Sequence, residues 1–193
     1  MTLPLFTFLV VIFCQLVFIA IFAFRKPQHQ MAERKRDPAA RKGILLEAVG
    51  FAVVWAIRRK WNATIVPMNL AVEIIVSAFT VLLAATSVLF VHRAVRVLGK
   101  QWAYAARLVE GHQLITHGPY GTVRHPIYSG MLGLLIATGI SHSRWWALIF
   151  GMMVFLIGTV IRILSEERLL REAFGAEFEA YARRVKALIP GIF

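Results

Sequence analysis

Two groups of polar residues in the second half of this sequence have the types and spacing to do chemistry. In the first, Arg124 and His125 precede Pro126, which stands where a helix takes its first residue, after turns marked by Gly111 and Gly118-Pro119. The triplet is expected at a loop-to-helix junction. There, free backbone N–H groups and the partial positive charge of a helix N-terminus suit a carboxylate or another anion. In the second group, Arg162 and Glu166 are four residues apart in a run without a helix breaker, so they share one helix face about a turn from each other. Each group also has a plainer reading. His125 is placed to cap a helix, and Arg162 and Glu166 have the spacing of a surface ion pair with an interfacial anchor. Tyr120 and Tyr128 are either interfacial aromatics, like Trp145 and Trp146, or hydroxyl donors to a ligand. His112, His117 and His125 crowd into fourteen residues, yet they have no helical i,i+4 pairing and no cysteine partner, so no metal site is expected.

The elements that must position these residues are membrane helices. A chain of 193 residues that is 59% hydrophobic cannot bury that much apolar surface in one small soluble core. Five segments are long and apolar enough to be considered as spans: Leu3 to Phe24, Gly43 to Trp61, Ile65 to Val91, Ile127 to Ser141 and Trp145 to Leu164. The second and fourth are short, and a tilted, half-buried or re-entrant course is open to them. The first carries no basic residue before it and no small-residue cleavage signal, so it reads as a retained helix. Its Cys14 is the sole cysteine of the chain and is expected to be a small buried hydrophobe.

The formal charge of +12 follows topology and anionic lipid, not nucleic acid. With the N-terminus outside, eighteen basic residues fall on the cytoplasmic side and only Arg58, Arg59, Lys60 and Arg144 fall outside. The Arg58 to Lys60 cluster is the exception to the bias. Glu47 and Glu73 lie within apolar segments, where an ionisable group is costly enough to imply a role. Hydrogen bonding between helices and facing a substrate cavity are equally open to them.

The chain thus reads as a single all-α membrane domain of about five transmembrane helices, 1–193. Residues 1–91 form an apolar N-terminal half, and 92–193 carry the chemistry, with a cytosolic pocket built from the 92–126 connector and the C-terminal helices. The last apolar segment is expected to leave the membrane as one continuous helix through Leu170. A turn at Phe174-Gly175 and a short amphipathic helix finishing near Pro190 would follow.

The ordered run from Gly111 to Tyr128 (GHQLITHGPYGTVRHPIY), followed by Arg162, Glu166-Glu167 and the tail from Phe174-Gly175 to Tyr181, resembles the isoprenylcysteine carboxyl methyltransferase family. It also resembles the related bacterial and phospholipid methyltransferases. The likeness covers residues 99–190, about half the chain, and the chain is short like the family's prokaryotic members.

The resemblance implies an enzyme dependent on S-adenosyl-L-methionine, with the cofactor in a cytosolic pocket and a lipophilic acceptor arriving through the bilayer. An isoprenylcysteine carboxylate is the leading acceptor, with a phospholipid amine or a small lipophilic thiol or acid as rivals. Cofactor contacts carried over by motif are His112, Gln113, Leu114 and Ile115 through their backbone, then Tyr120, His125, Pro126, Ile127 and Tyr128. Glu166 is the group for a cofactor hydroxyl or ammonium, and the tyrosines offer a hydroxyl or a ring face toward the sulfonium. Arg162 is then the residue for the acceptor carboxylate. The implied setting is a prokaryotic inner membrane, with the N-terminus outside and the site cytoplasmic. A non-catalytic membrane protein on the same frame is the contrasting possibility.

Overall fold

A computed structural model describes residues 2–23, 33–60, 63–99, 107–109 and 113–192, with the backbone alone at 33–36 and 107–109. Among the described residues, six α-helices form the body: α1 (Leu3–Ala23), α2 (Ala39–Ala56), α3 (Leu70–Leu98), α4 (Pro126–His142), α5 (Trp145–Phe174) and α6 (Ala176–Arg184). One feature departs from the all-helical expectation. Strands β1 (Glu33–Arg36) and β2 (Arg107–Val109) pair antiparallel as a small two-stranded ribbon.

All five apolar segments are helical, and their limits follow local chemistry. The third starts five residues later than composition suggests, because Pro67 lies in the way and Asn69 caps the helix, its side chain accepting from the Val72 amide at 3.0 Å. It ends at Leu98, where Gly99 takes a φ of +57° that other residues avoid. The fifth helix runs unbroken for 30 residues, about 45 Å, well beyond the hydrocarbon core. Gly175 (φ +49°) stops it, and α6 follows but closes at Arg184, short of Pro190.

Among the described residues, three helices are long and apolar enough to cross a membrane: α1, α3 and α5. Their outer faces are studded with exposed Leu, Ile, Phe and Val side chains, among them Phe13, Leu16, Ile75, Leu82, Ile157 and Leu164, as lipid contact requires. The helix α2 carries Arg41, Lys42 and Glu47 within its 18 residues, and α4 has only 17 residues. The latter is the axis of the bundle, with both ends and most of its length buried, from Pro126 to His142. It packs against α3 and α1 on one side and α5 on the other.

Helices α2 and α5 run antiparallel in very close contact, and four glycines make this possible. A Cβ added at Gly50 would stand 2.6 Å from the Gly151 carbonyl oxygen and 2.9 Å from the Phe155 Cβ. One at Gly158 would stand 2.6 Å from the Gly43 carbonyl oxygen. Small residues at such crossings let backbones approach where lipid offers no hydrophobic drive for association.

The basic exception at Arg58 to Lys60 also has a structural account. Arg59 turns onto the carbonyls at the C-terminal end of α4, donating to Gly139 at 3.4 Å, Ile140 at 2.6 Å and Ser143, and to Ala63 at 2.8 Å. Its charge is used as a helix cap, so it weighs little as a topology signal.

Gly50→Ala is expected to force α2 and α5 apart and to cost about 1–3 kcal/mol. Thermal unfolding in detergent would show a lower Tm than in Leu45→Ala, which changes an exposed position on α2. An unchanged Tm in Gly50→Ala would contradict the close packing.

Candidate active site

The site is built where the N-terminus of α4 meets the polar C-terminal part of α5. The Arg124-His125-Pro126 junction lies as the sequence implies, with Pro126 the first residue of α4 and His125 its N-cap. The His125 side chain makes no capping bond, which removes the plainer reading of this residue. Two backbone bonds and one from a serine hydroxyl to the C-terminal tail clamp the junction instead. The Arg124 amide donates to the Lys186 carbonyl at 2.8 Å, the His125 amide to Ala187 at 2.9 Å, and Ser129 Oγ to Leu188 at 2.5 Å.

The freed imidazole lies between two carboxylates of α5. His125 Nδ1 is 3.3 Å from Glu166 Oε2, and Nε2 is 3.2 Å from Glu167 Oε1. Burial disfavours the charged ring, but hydrogen bonds and attraction from Glu166 and Glu167 outweigh it and hold the His125 pKa above the ordinary histidine value. Carboxylate oxygens facing both ring nitrogens favour the doubly protonated, charged form. Arg124 closes the far side. Its Nε and Nη2 reach Glu167 Oε1 at 2.8 and 2.7 Å, and Nη1 donates to the Ala182 carbonyl at 3.1 Å and to the Val185 carbonyl, which ends α6. Arg171 adds a bond to Glu167 Oε2 at 3.1 Å and one to Glu179 at 2.8 Å.

Toward the membrane, the Tyr128 hydroxyl donates to Glu166 Oε1, and the Arg162 guanidinium carbon lies 4.6 Å from the centre of the Tyr128 ring. The His125 and Tyr128 rings are nearly parallel, with centres 5.6 Å apart. Arg162 therefore covers one ring face of Tyr128, and the tyrosine's evident contribution is its hydroxyl rather than an open face for a sulfonium. The carboxylate bonded to Arg162 belongs to Glu47 of α2, with Nη1 to Oε2 at 2.6 Å, and Thr159 Oγ1 donates to Glu47 Oε1 at 3.1 Å. The four-residue spacing of Arg162 and Glu166 thus serves a wider network.

The structure brings His125, Tyr128, Arg162 and Glu166 into one connected cluster. Tyr120 sits beside it, buried in a short 3-10 turn (Gly118–Gly121), its carbonyl held by the Tyr181 hydroxyl at 2.6 Å. Pro126 is buried in the first turn of α4, and Ile127 packs toward Val91 and Val95 of α3. Gln113 is exposed and Leu114 and Ile115 are half-buried in the run that leads into the 3-10 turn. His112 lies outside the described residues, as does much of the 92–126 connector. Glu73 belongs elsewhere. It lines a small cleft of mixed character with Arg59, Thr80 and Ser141 at the other end of α4.

Thr159 and Glu167 were not singled out by residue type and spacing, and Arg124 and Glu47, which were, had no partner assigned to them. The signal for Glu167 and Arg124 was adjacency to Glu166 and His125. That for Glu47 was its cost inside an apolar segment.

Glu166 has the character of a ligand-facing group. Its side chain is 27% exposed, whereas those of His125 and Glu167 are each 5% exposed. Each of its oxygens takes one bond, from Tyr128 or His125, and a carboxylate oxygen has a second lone pair to offer. Such a group fits the hydroxyls or ammonium of an adenosylmethionine-type cofactor. Among the described residues, no group of three or more His, Cys, Asp and Glu side chains is arranged to hold a metal ion.

Because the folded-state pKa of His125 is raised, its stabilising contribution is complete below the unfolded value of 6.5 and is lost as pH rises through the folded value. Unfolding followed from slightly acid to alkaline pH should show stability falling in that window. The same fall should be absent from His125→Asn, and an equal slope in both proteins would contradict a charged His125.

The phospholipid methyltransferase family model matches residues 75–177, from the first turns of α3 into α6, which includes the whole cluster except Glu47. The chain is 35% identical over 101 residues to a probable protein-S-isoprenylcysteine O-methyltransferase of Oryza sativa subsp. indica, covering 51% of this chain and 53% of that one. It is 34% identical over 84 residues to protein-S-isoprenylcysteine O-methyltransferase B of Arabidopsis thaliana, covering 44% and 43%. It is 38% identical over 101 residues to the cobalt-zinc-cadmium resistance protein CzcN of Cupriavidus metallidurans, covering 48% and 43%. The chain spans about half the length of the curated relatives it matches. These matches bear out the kinship read from the run between Gly111 and Tyr181, and the chain belongs to the phospholipid methyltransferase family.

Proposed function

We propose that the protein is a membrane methyltransferase that uses S-adenosyl-L-methionine and methylates a lipophilic acceptor. The best-supported acceptor is an isoprenylcysteine-type carboxylate. The observation that carries this reading is the juxtaposition of a buried arginine, Arg162, with a partly exposed carboxylate, Glu166, bridged by Tyr128 at the membrane end of a charged cluster.

Glu166 would hold the cofactor, oriented by Tyr128 and His125, while Tyr120 and the backbone from His112 to Ile115 complete the pocket. When bound, the cofactor would supply a methyl group carried on a positive sulfur, for transfer to the acceptor oxygen. The protein's own work is alignment and charge management. Arg162 takes the acceptor carboxylate and aims one oxygen. A carboxylate is already ionised near neutral pH, so no general base is required.

The reading includes about five spans, with α2 and α4 crossing beside the three long helices. The N-terminus would lie outside and the site cytoplasmic, as the distribution of basic residues favours. The implied location is a prokaryotic inner membrane. The acceptor would come from the lipid phase, along the exposed apolar faces. The family's description favours one second reading, a phospholipid amine as acceptor. In that case Arg162 would hold the phosphate, and a carboxylate such as Glu166 or Glu167 would take the amine's proton.

Titration calorimetry with S-adenosylhomocysteine should give saturable binding that weakens in Glu166→Ala. Arg162→Ala should bind the cofactor product nearly as the wild type does and lose turnover. Removing the arginine leaves Glu47 buried without this partner, at about 3–5 kcal/mol, so Arg162→Lys is the companion variant that keeps the charge. Assays on a prenylcysteine analogue and on phosphatidylethanolamine vesicles separate the two acceptors. A folded protein that binds no adenosyl compound would overturn the reading.

A further inference from the structure

The acceptor chemistry above leaves unassigned the carboxylate that its arginine touches. Glu47 lies on α2, before the region that the family model matches, and is 2% exposed. Both of its oxygens are engaged, Oε2 by Arg162 Nη1 at 2.6 Å and Oε1 by Thr159 Oγ1 at 3.1 Å. One turn earlier on the same helix face, Gly43 has no side chain. A Cβ there would run into Arg162 Cγ and come within 2.6 Å of the Gly158 carbonyl oxygen. Together these two residues form a seat for Arg162: a gap for the stem and a carboxylate for the head. From that seat the guanidinium stands over Tyr128, whose hydroxyl holds Glu166.

We propose that Glu47 is a positioning residue for the acceptor, holding one corner of the Arg162 guanidinium so that the group is set in a fixed direction over Tyr128 at the acceptor end of the site. This rests on the carboxyl-methylating reading given above. An arginine is a long flexible side chain ending in a rigid planar fork of five donors. Fixing one corner of the fork fixes the direction of the rest, and methyl transfer demands such alignment. Sharing the arginine's charge also moderates its grip on the anion, so a neutral methyl ester leaves without a large difference in binding to overcome. Thr159, one turn before Arg162 on α5, holds the other oxygen of Glu47, which keeps the carboxylate itself from swinging.

The test compares Glu47→Gln, Glu47→Asp and Glu47→Ala in detergent-purified protein, with N-acetyl-S-farnesylcysteine as acceptor and S-adenosylhomocysteine as cofactor probe. In Glu47→Ala, kcat is expected to fall about 10–100-fold while the Kd for S-adenosylhomocysteine stays within about twofold. Glu47→Asp should recover part of kcat. Glu47→Gln, which keeps the size and one acceptor oxygen for Arg162 but not the charge, and which meets Thr159 with an amide donor instead, should lower the KM for the anionic acceptor, because the arginine's charge is no longer shared. A purely structural role predicts instead that Tm and cofactor affinity fall together and that KM does not move in Glu47→Gln. That outcome, or an unchanged kcat in folded Glu47→Ala, overturns the proposal. If Glu47→Ala does not fold, the KM of the isosteric Glu47→Gln decides. A wild type that binds S-adenosylhomocysteine but neither binds nor methylates the probe overturns the role of Glu47 and leaves the methyltransferase reading intact. A wild type that binds no S-adenosylhomocysteine overturns the methyltransferase reading itself.

Discussion

A buried ion pair between Glu47 and Arg162 sets the terms for the rest of this structure. Two charges taken out of water are tolerated only when they face each other with good geometry and further hydrogen bonds. Meeting that condition here requires that α2 and α5 come close enough for a short carboxylate to reach across. The glycines at 43, 50, 151 and 158 supply that closeness. Thr159 supplies the further hydrogen bond. The apolar half of the molecule is therefore tied to the polar half by a charge rather than by shape alone.

From that pair outward, each group satisfies the next. Arg162 lies on Tyr128, Tyr128 bonds Glu166, Glu166 and Glu167 flank His125, and Arg124 joins Glu167 to the end of α6. Opposite charges alternate along the series, so no member is a lone buried ion. The series runs from the membrane-embedded part of α5 to the polar surface. It places its most exposed carboxylate, Glu166, in the middle, where a cationic or hydroxyl-rich ligand adds to a network already in order.

Much of this was legible in the sequence, for reasons that differ from residue to residue. Apolar runs, three of them of membrane length, pointed to the helices of the five segments, and Pro126 and Gly175 set two of their limits because their backbone chemistry leaves few choices. His125, Tyr128, Arg162 and Glu166 were legible through an ordered motif. The partner of Arg162 was not, since Glu47 lies 115 positions away and only tertiary packing brings it there. Spacing alone pointed to Glu166, a local partner, and the fold chose a distant one. The glycine seats were likewise hidden. A glycine in an apolar helix reads the same whether it faces lipid or another backbone, and the answer is written on the opposing helix. The ribbon of β1 and β2 escaped notice because strands of four and three residues carry too little pattern to detect.

The unbroken course of α5 has a mechanical consequence. From Trp145, set among exposed aromatics at one membrane face, to Glu166 the helix contains no proline, so it transmits a change of tilt as a rigid rod. Over about 30 Å, a tilt of about 10° displaces the Glu166 end by about 5 Å, more than a hydrogen bond tolerates. Bilayers of different thickness impose different tilts on a helix of given length. The close packing of α2 on α5 therefore does more than bury a charge pair: by holding the tilt of α5 it keeps the carboxylates at one end in register with the aromatic residues at the other.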